Sequence, residues 1–324
     1  MKNGKFSIGR FMRKNVILLL LIAMIIVFSI AQPKFITVTN LMNIYNQNAS
    51  LMLSACGLAM VMISGGIDLS IGYMASLCGI VAAMLMKNMN VNFIVSIIAA
   101  ILVGTLCGAL NGILSNKLKI HTMIVTLATM TLFQGLSYII SQSKSFSSLP
   151  AAFKFIGQGY LGNLPVSIFA LIAIVAVVSF ILNKTHYGRY VYAIGGNPDA
   201  AHLAGINVER VRLRTFALNG ALVGLAAVLL ISRSGSASSA MGTSLQFDSI
   251  TACILGGVSF TGGSGKVSNA VLGVLCLGVL SNGMQLIGWG IYVQYVVKAI
   301  LLVIAIAFDM YTKNKVLADD AANG

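Results

Sequence analysis

Acidic residues are scarce in this chain. Asp68, Asp199, Glu209, Asp248, Asp309, Asp319 and Asp320 are all that 324 residues contain, which leaves little for paired-carboxylate acid–base chemistry. Asp68 stands out. It lies in "ISGGIDLSIG" (63–72) between two apolar runs, and an ionisable group among membrane spans is costly enough to mark a role. One role is a proton or cation site in an ion-coupled secondary transporter. The plainer one is an N-cap for the helix beginning at "LSIGYMASL". Asp248, at the start of a later apolar run, reads the same way. Lys298 lies inside an apolar run with no acidic partner evident, and is expected to snorkel or to meet a carbonyl.

Other chemistry-bearing residues are dispersed. His121, His186 and His202 have no metal-ligand spacing, and no Ser–His–Asp or Cys–His arrangement suggests itself. Cys56, Cys78, Cys107, Cys253 and Cys276 all fall in apolar runs without a Cys-x-x-Cys pair, so they read as small buried hydrophobes. "TGGSGKVS" (261–268) superficially suggests a phosphate loop. That loop needs a glycine where Phe260 stands and a Ser or Thr where Val267 stands. No catalytic, metal or cofactor site is assigned, and this chain is not expected to hydrolyse ATP itself.

The elements around these residues are membrane spans. The chain is 58% hydrophobic and 9% charged, with a mean hydropathy of +0.93, against roughly a quarter charged in soluble domains. Ten candidate spans follow one another at about 15–32, 49–65, 70–88, 92–115, 121–141, 164–183, 212–232, 247–262, 268–287 and 291–310. The fold class is an all-α polytopic membrane protein, with residues 1–324 forming one transmembrane domain. The stretch 247–262 is short and glycine-rich and is expected to be a broken or re-entrant helix. "FSIAQ" resembles a signal cleavage site, but removing the first run would invert the charge bias of every later loop, so it is read as an uncleaved helix.

The net charge of +14 does not signal nucleic acid, because the cations sit in short loops. With Lys2, Lys5, Arg10, Arg13 and Lys14 in the cytoplasm, ten spans return the C-terminus there. Fifteen of the 21 Lys and Arg then face the cytoplasm, Arg210, Arg212 and Arg214 among them. The longest cytoplasmic loop is about 184–211.

Two stretches echo each other in order: "ISGGIDLSIG" with "ILGGVSFTGG" (254–263), and "GTLCGALNG" (104–112) with "GVLCLGVLSNG" (273–283). An internal repeat of inverted sense, as transporters use, is one reading. Chance likeness between glycine-rich stretches is the other. Gly104, Gly108 and Gly112 recur every four residues, a flat face for close helix packing within the chain or between two chains.

"GGNPDAAHLAGI" (195–206) punctuates the long loop. Asn197 suits an N-cap, Pro198 the first helical position and Asp199 the positive end of the helix dipole, while Gly205 suits a left-handed stop. A small capped helix outside the membrane suits docking into a groove on a partner protein; a merely well-formed loop is the other reading.

From about residue 40 to 312 the chain resembles the permease subunits of ribose/xylose/autoinducer-2-type ABC importers. "SGGIDLSIG", the Asn111–Gly112 pair, "TLATMTLFQGL" (126–136), "YAIGGNPDAAHLAGI" (192–206) and "ILGGVSFTGGSGKV" (254–267) carry the resemblance, in the family's order. "GGIDLS" and "GNPDAAHLAGI" favour the sugar branch over the branched-chain amino-acid permeases. The resemblance implies a multi-pass bacterial inner-membrane subunit that carries a monosaccharide such as ribose. It implies a second permease chain, an extracytoplasmic sugar-binding protein, and a cytoplasmic ABC ATPase that binds the ATP and magnesium. Asn197, Pro198, Asp199, Ala200, Ala201, His202, Leu203, Gly205 and Ile206 match the helix that docks on that ATPase. No residue is assigned to the sugar path. Asn111, Gln134, Asn282 and Gln285 are polar enough to line it, but helix–helix hydrogen bonding explains them equally well.

Overall fold

The computed structural model describes residues 16–323. Lys2, Lys5, Arg10, Arg13 and Lys14, on which the expected N-terminal orientation rests, lie outside the described residues, as do the side chains of Lys313 and Lys315. Among the described residues there are thirteen α-helices: α1 (Val16–Ala31), α2 (Val38–Ile63), α3 (Ile71–Asn88), α4 (Phe93–Leu118), α5 (Thr122–Ser141), α6 (Ala151–Gln158), α7 (Val166–Lys184), α8 (His186–Gly196), α9 (Pro198–Leu203), α10 (Val208–Ser234), α11 (Thr243–Leu255), α12 (Val267–Leu286) and α13 (Ile291–Asn323). The chain is an all-α polytopic membrane protein. Its extended structure among the described residues is slight: an antiparallel pair, β1 (Tyr160–Leu161) with β2 (Leu164–Pro165), and a bridge between Phe146 and Ala237.

Local chemistry sets the helix ends. Asn92 caps α4 by accepting from the Ile94 amide at 2.8 Å, and Asn207 caps α10 by accepting from Arg210 at 2.9 Å. Gly235 ends α10 with φ +67°, and its N–H reaches back to the Ile231 carbonyl.

Among the described residues, seven helices are long and apolar enough to cross a membrane: α3, α4, α5, α7, α10, α12 and the Ile291–Tyr311 part of α13. The other three of the ten expected spans depart from a simple span for separate reasons. α1 is a shorter apolar helix of 16 residues. α2 has 26 residues and begins 11 residues before the expected span, because its early amides find partners inside the protein. Asn40 and Asn282 exchange amide hydrogen bonds at 2.9 and 3.0 Å, and Asn46 donates to the Gly157 carbonyl at 3.2 Å. α11 has only 13 residues, about 20 Å at 1.5 Å per residue, against a hydrocarbon core of roughly 30 Å. It stops at a Gly256–Gly257 turn, and irregular chain runs from there to α12. The expected break within 247–262 is thus located at Gly256.

The bundle is built around α2 and α10. Every residue of α2 from Ala49 to Ile63 is buried, and α10 is mostly enclosed, with α4 along one side. A helix apolar on all faces belongs inside. α4, α5 and α7 expose one flank of Ile, Leu and Phe, including Leu106, Ile139 and Phe180, and the Ile291–Tyr311 part of α13 buries none of its length. Such surfaces suit lipid.

Gly104, Gly108 and Gly112 make an intrachain contact. A Cβ on Gly104 would collide with the Gly220 carbonyl, and one on Gly108 with the Phe216 carbonyl. Gly220 and Gly224 answer from α10, where added Cβ atoms would meet the Gly104 and Ala100 carbonyls. Two small-residue faces four residues apart let α4 and α10 touch backbone to backbone.

The two echoes differ in what they share. At the first, α2 and α11 end alike: Gly65 (φ +82°) and Gly257 (φ +74°) each take the left-handed position. Gly66 and Val258 each bond back five residues, to the Val61 and Cys253 carbonyls. At the second, Gly108 lies against α10, whereas Gly273 lies against the Ala252 carbonyl of α11 and Gly283 against the Phe28 ring. A repeat of whole halves is not shown.

Candidate functional site

Between α2 and α3 the chain is irregular from Ser64 to Ser70 yet almost wholly buried. Irregular backbone at such depth must find partners in the protein. The Ile67 N–H donates to Thr122 Oγ1 at 3.1 Å and the Leu69 N–H to Thr126 Oγ1 at 3.0 Å, both hydroxyls lying on the first turns of α5. Thr126 Oγ1 also donates to the Ile67 carbonyl at 3.2 Å.

Asp68 sits at the centre of this break with 0% exposure. Oδ1 accepts from the Ser70 amide at 2.9 Å and from the Ser70 hydroxyl at 2.6 Å. Oδ2 accepts from Asn219 Nδ2 on α10 at 2.8 Å. Asn111 Nδ2 on α4 donates to Ser70 Oγ at 2.9 Å and lies 3.5 Å from both carboxylate oxygens, while Thr129 on α5 donates to Asn111 Oδ1 at 2.6 Å. One carboxylate thereby ties the break to α4, α5 and α10. It is not the N-cap of α3, which is Ser70. The N-cap reading underestimated it, because the partners come from distant segments.

Asn219 is the member the sequence reading missed, although a signal existed. Asn219–Gly220 is an Asn–Gly pair within an apolar run, as are Asn111–Gly112 and Asn282–Gly283. At Asn111–Gly112 and Asn219–Gly220 the amide joins the Asp68 network and the glycine joins the α4–α10 seam. Asn219 Oδ1 is buried and has no hydrogen-bond partner among the described residues. Gly57 of α2 leaves it room, since a Cβ there would strike that oxygen.

Asp248 also proves more than a cap. It lies within α11, and its Oδ2 takes an ion pair from Lys298 Nζ of α13 at 3.0 Å, each side chain about one-fifth exposed. Lys298 has an acidic partner after all; the 50-residue separation hid it. Asp309 of α13 accepts from the Phe260 amide at 3.1 Å, so the same helix also holds the loop after α11.

The punctuated segment folds as its residues suggest. α9 begins at Pro198, Asn197 Oδ1 accepts from the Ala200 amide at 2.9 Å, and Gly205 takes φ +83° beyond the last turn. The Ile206 N–H bonds to the Ala201 carbonyl at 3.0 Å, completing the stop. Ala201 faces inward at 5% exposure, whereas Leu203 is 87% exposed. The sequence reading missed α8 before it. Tyr187 Oη of α8 lies 2.8 Å from Thr215 Oγ1 of α10, and Tyr192 Oη donates to the Gly265 carbonyl at 2.8 Å. Burial pushes both phenols above their usual range. At the start of α10, Arg212 Nη1 donates to Asn116 Oδ1 of α4 at 3.3 Å.

Of the polar residues weighed as path-lining, Asn111 and Asn282 are committed to the pairs above, Gln134 is half-buried and Gln285 is exposed. None of the four lines the cavity between α4 and α10 at Ser115, Asn116 and Arg212, or the apolar one between α2, α7 and α10 at Met60, Val178 and Leu222.

Comparison with known proteins places this architecture. The family described as "Branched-chain amino acid transport system / permease component" matches residues 40–306. The ribose import permease protein RbsC of Haemophilus influenzae is 36% identical over 323 residues, spanning 98% of this chain and 100% of its own. RbsC of Bacillus subtilis is 38% identical over 292 residues, 89% of this chain and 90% of its own. The L-arabinose transport system permease protein AraH of Escherichia coli is 36% identical over 308 residues, 95% of this chain and 94% of its own. No solved structure matches.

Proposed function

The chain belongs to this family of transport permease components, and from that premise we propose that it forms the membrane pathway of an ATP-binding-cassette importer for a pentose such as ribose or arabinose. The sugar class follows the relatives named for ribose and arabinose import, which align over nearly the whole chain. An extracytoplasmic binding protein delivers the sugar, a second permease chain completes the pathway, and a separate cytoplasmic ATPase binds and hydrolyses ATP with magnesium. The membrane-embedded part works as one permease domain in a bacterial plasma membrane, with both termini cytoplasmic, as the distribution of Lys and Arg favours.

The observation that carries the coupling role is α9 itself. A six-residue helix capped at both ends presents Leu203 almost fully to solvent while Ala201 anchors it from beneath. An ordered helix that offers an exposed leucine suits docking in a groove on a partner. Residues 197–206 dock on the ATPase in this reading.

The enclosure of Asp68 favours this over ion coupling. Its two oxygens already accept from Ser70 and Asn219 at short range, which is how a structural carboxylate is held.

The test is co-purification of the tagged chain from gently solubilised membranes, with and without residues 198–204. An ATPase that accompanies the intact chain and is lost on deletion supports the reading. If no ATPase accompanies the intact chain, and the purified chain alone moves pentose down an ion gradient in vesicles, the reading is wrong.

A further inference from the structure

α9 is held at both ends, and both attachments lead to the same buried break at residues 64–70. On the C-terminal side, Asn207 links it to α10, and eleven residues into α10 Asn219 grips Asp68 at 2.8 Å. On the N-terminal side, the last turn of α8 presses Gly195 against the last turn of α2 and against the loop after α11. A Cβ on Gly195 would collide with the Ile63 carbonyl and approach the Gly263 amide to 2.7 Å. Those two groups are themselves hydrogen-bonded at 2.9 Å. Gly262 (φ +92°) lies so close that a Cβ there would be 2.7 Å from the Gly65 Cα and 2.9 Å from the Gly195 carbonyl. Tyr192, one turn back on α8, clamps the same loop through the Gly265 carbonyl at 2.8 Å. Three backbones thus meet with no side chain between them. Backbone contact of this kind transmits displacement directly, since close-packed protein is hard to compress.

We propose that Gly195 and Tyr192 are positioning residues of the transport cycle, joining the ATPase-facing helix α9 to the breaks after α2 and α11, so that movement of α9 is delivered to residues 64–70 and 256–266. The inference rests on the docking role proposed for α9. The neighbouring glycine supplies the control: a Cβ on Gly196 meets nothing within 4 Å among the described residues, and its backbone is not left-handed.

The test uses the permease–ATPase complex in nanodiscs, with hydrogen–deuterium exchange followed by mass spectrometry, before and after trapping with MgATP and vanadate. Two peptides are read. One covers α9. The other covers 64–70, whose Ile67, Leu69 and Ser70 amides are held by Thr122, Thr126 and Asp68. In the unmodified complex, trapping changes exchange severalfold in both. In Tyr192→Phe and Gly195→Ala the α9 response persists and the 64–70 response falls by at least threefold, while Gly196→Ala behaves as the unmodified complex. If Gly195→Ala does not assemble, Tyr192→Phe, which removes one hydroxyl, decides alone. An unchanged 64–70 response in Tyr192→Phe overturns the proposal while leaving the docking role intact. Absence of any α9 response in the unmodified complex overturns the docking role, and this inference with it.

Discussion

Asn219 of α10 donates to Asp68 Oδ2 at 2.8 Å across 151 positions of sequence. That bond, with the Ser70 and Asn111 contacts, holds an irregular segment inside a bundle where unpaired backbone and charge are both expensive.

Removing the carboxylate strands several buried donors at once. Asp68→Ala leaves Asn219 Nδ2 and the Ser70 amide without their acceptor, at about 1–3 kcal/mol for each buried group. The thermal midpoint in detergent should fall markedly. Asp68→Asn, which keeps one acceptor oxygen, should fall less. Equal loss in both variants would show that shape, not hydrogen bonding, holds the break.

The α4–α10 seam tolerates no side chain where the backbones touch. Gly108→Leu or Gly220→Val should destabilise by about 3 kcal/mol or abolish folding, since the obstruction is a carbonyl and not a movable side chain. Gly135→Ala on α5, with nothing within 4 Å among the described residues, should leave the midpoint unchanged. Fluorescence-detected size exclusion after heating reads both.

The Lys298–Asp248 pair should show compensation. Asp248→Leu leaves an unpaired cation on a lipid-facing helix and should cost about 2 kcal/mol. The double variant Asp248→Leu/Lys298→Met should recover most of that loss. A double variant no better than the sum of its parts would indicate that the two residues do not interact in the membrane.

Leu203→Asp places a charge on the exposed face of α9 without touching its caps. Capture of the ATPase should weaken by at least tenfold while the thermal midpoint of the isolated chain stays put. Gly205→Pro, which removes the left-handed stop, should uncouple transport while membrane insertion is retained.

Much of this protein is legible along the chain because the signals are local. Apolar runs mark the spans, since lipid satisfies no backbone group and helices must do so themselves. Asn197, Pro198 and Gly205 specify α9 within one turn at each end. The period of Gly104, Gly108 and Gly112 announces a close contact. What the sequence could not supply was the partner in each case. That the glycine face meets α10, that Lys298 finds Asp248, and that α8 wedges Gly195 against Ile63 are choices among segments tens to hundreds of residues apart. Asp68 is the clearest instance. Its neighbours in sequence offered a helix cap, whereas Asn111 and Asn219 arrive from two other helices, and only the packing of α2, α4 and α10 decided that one carboxylate would hold them together.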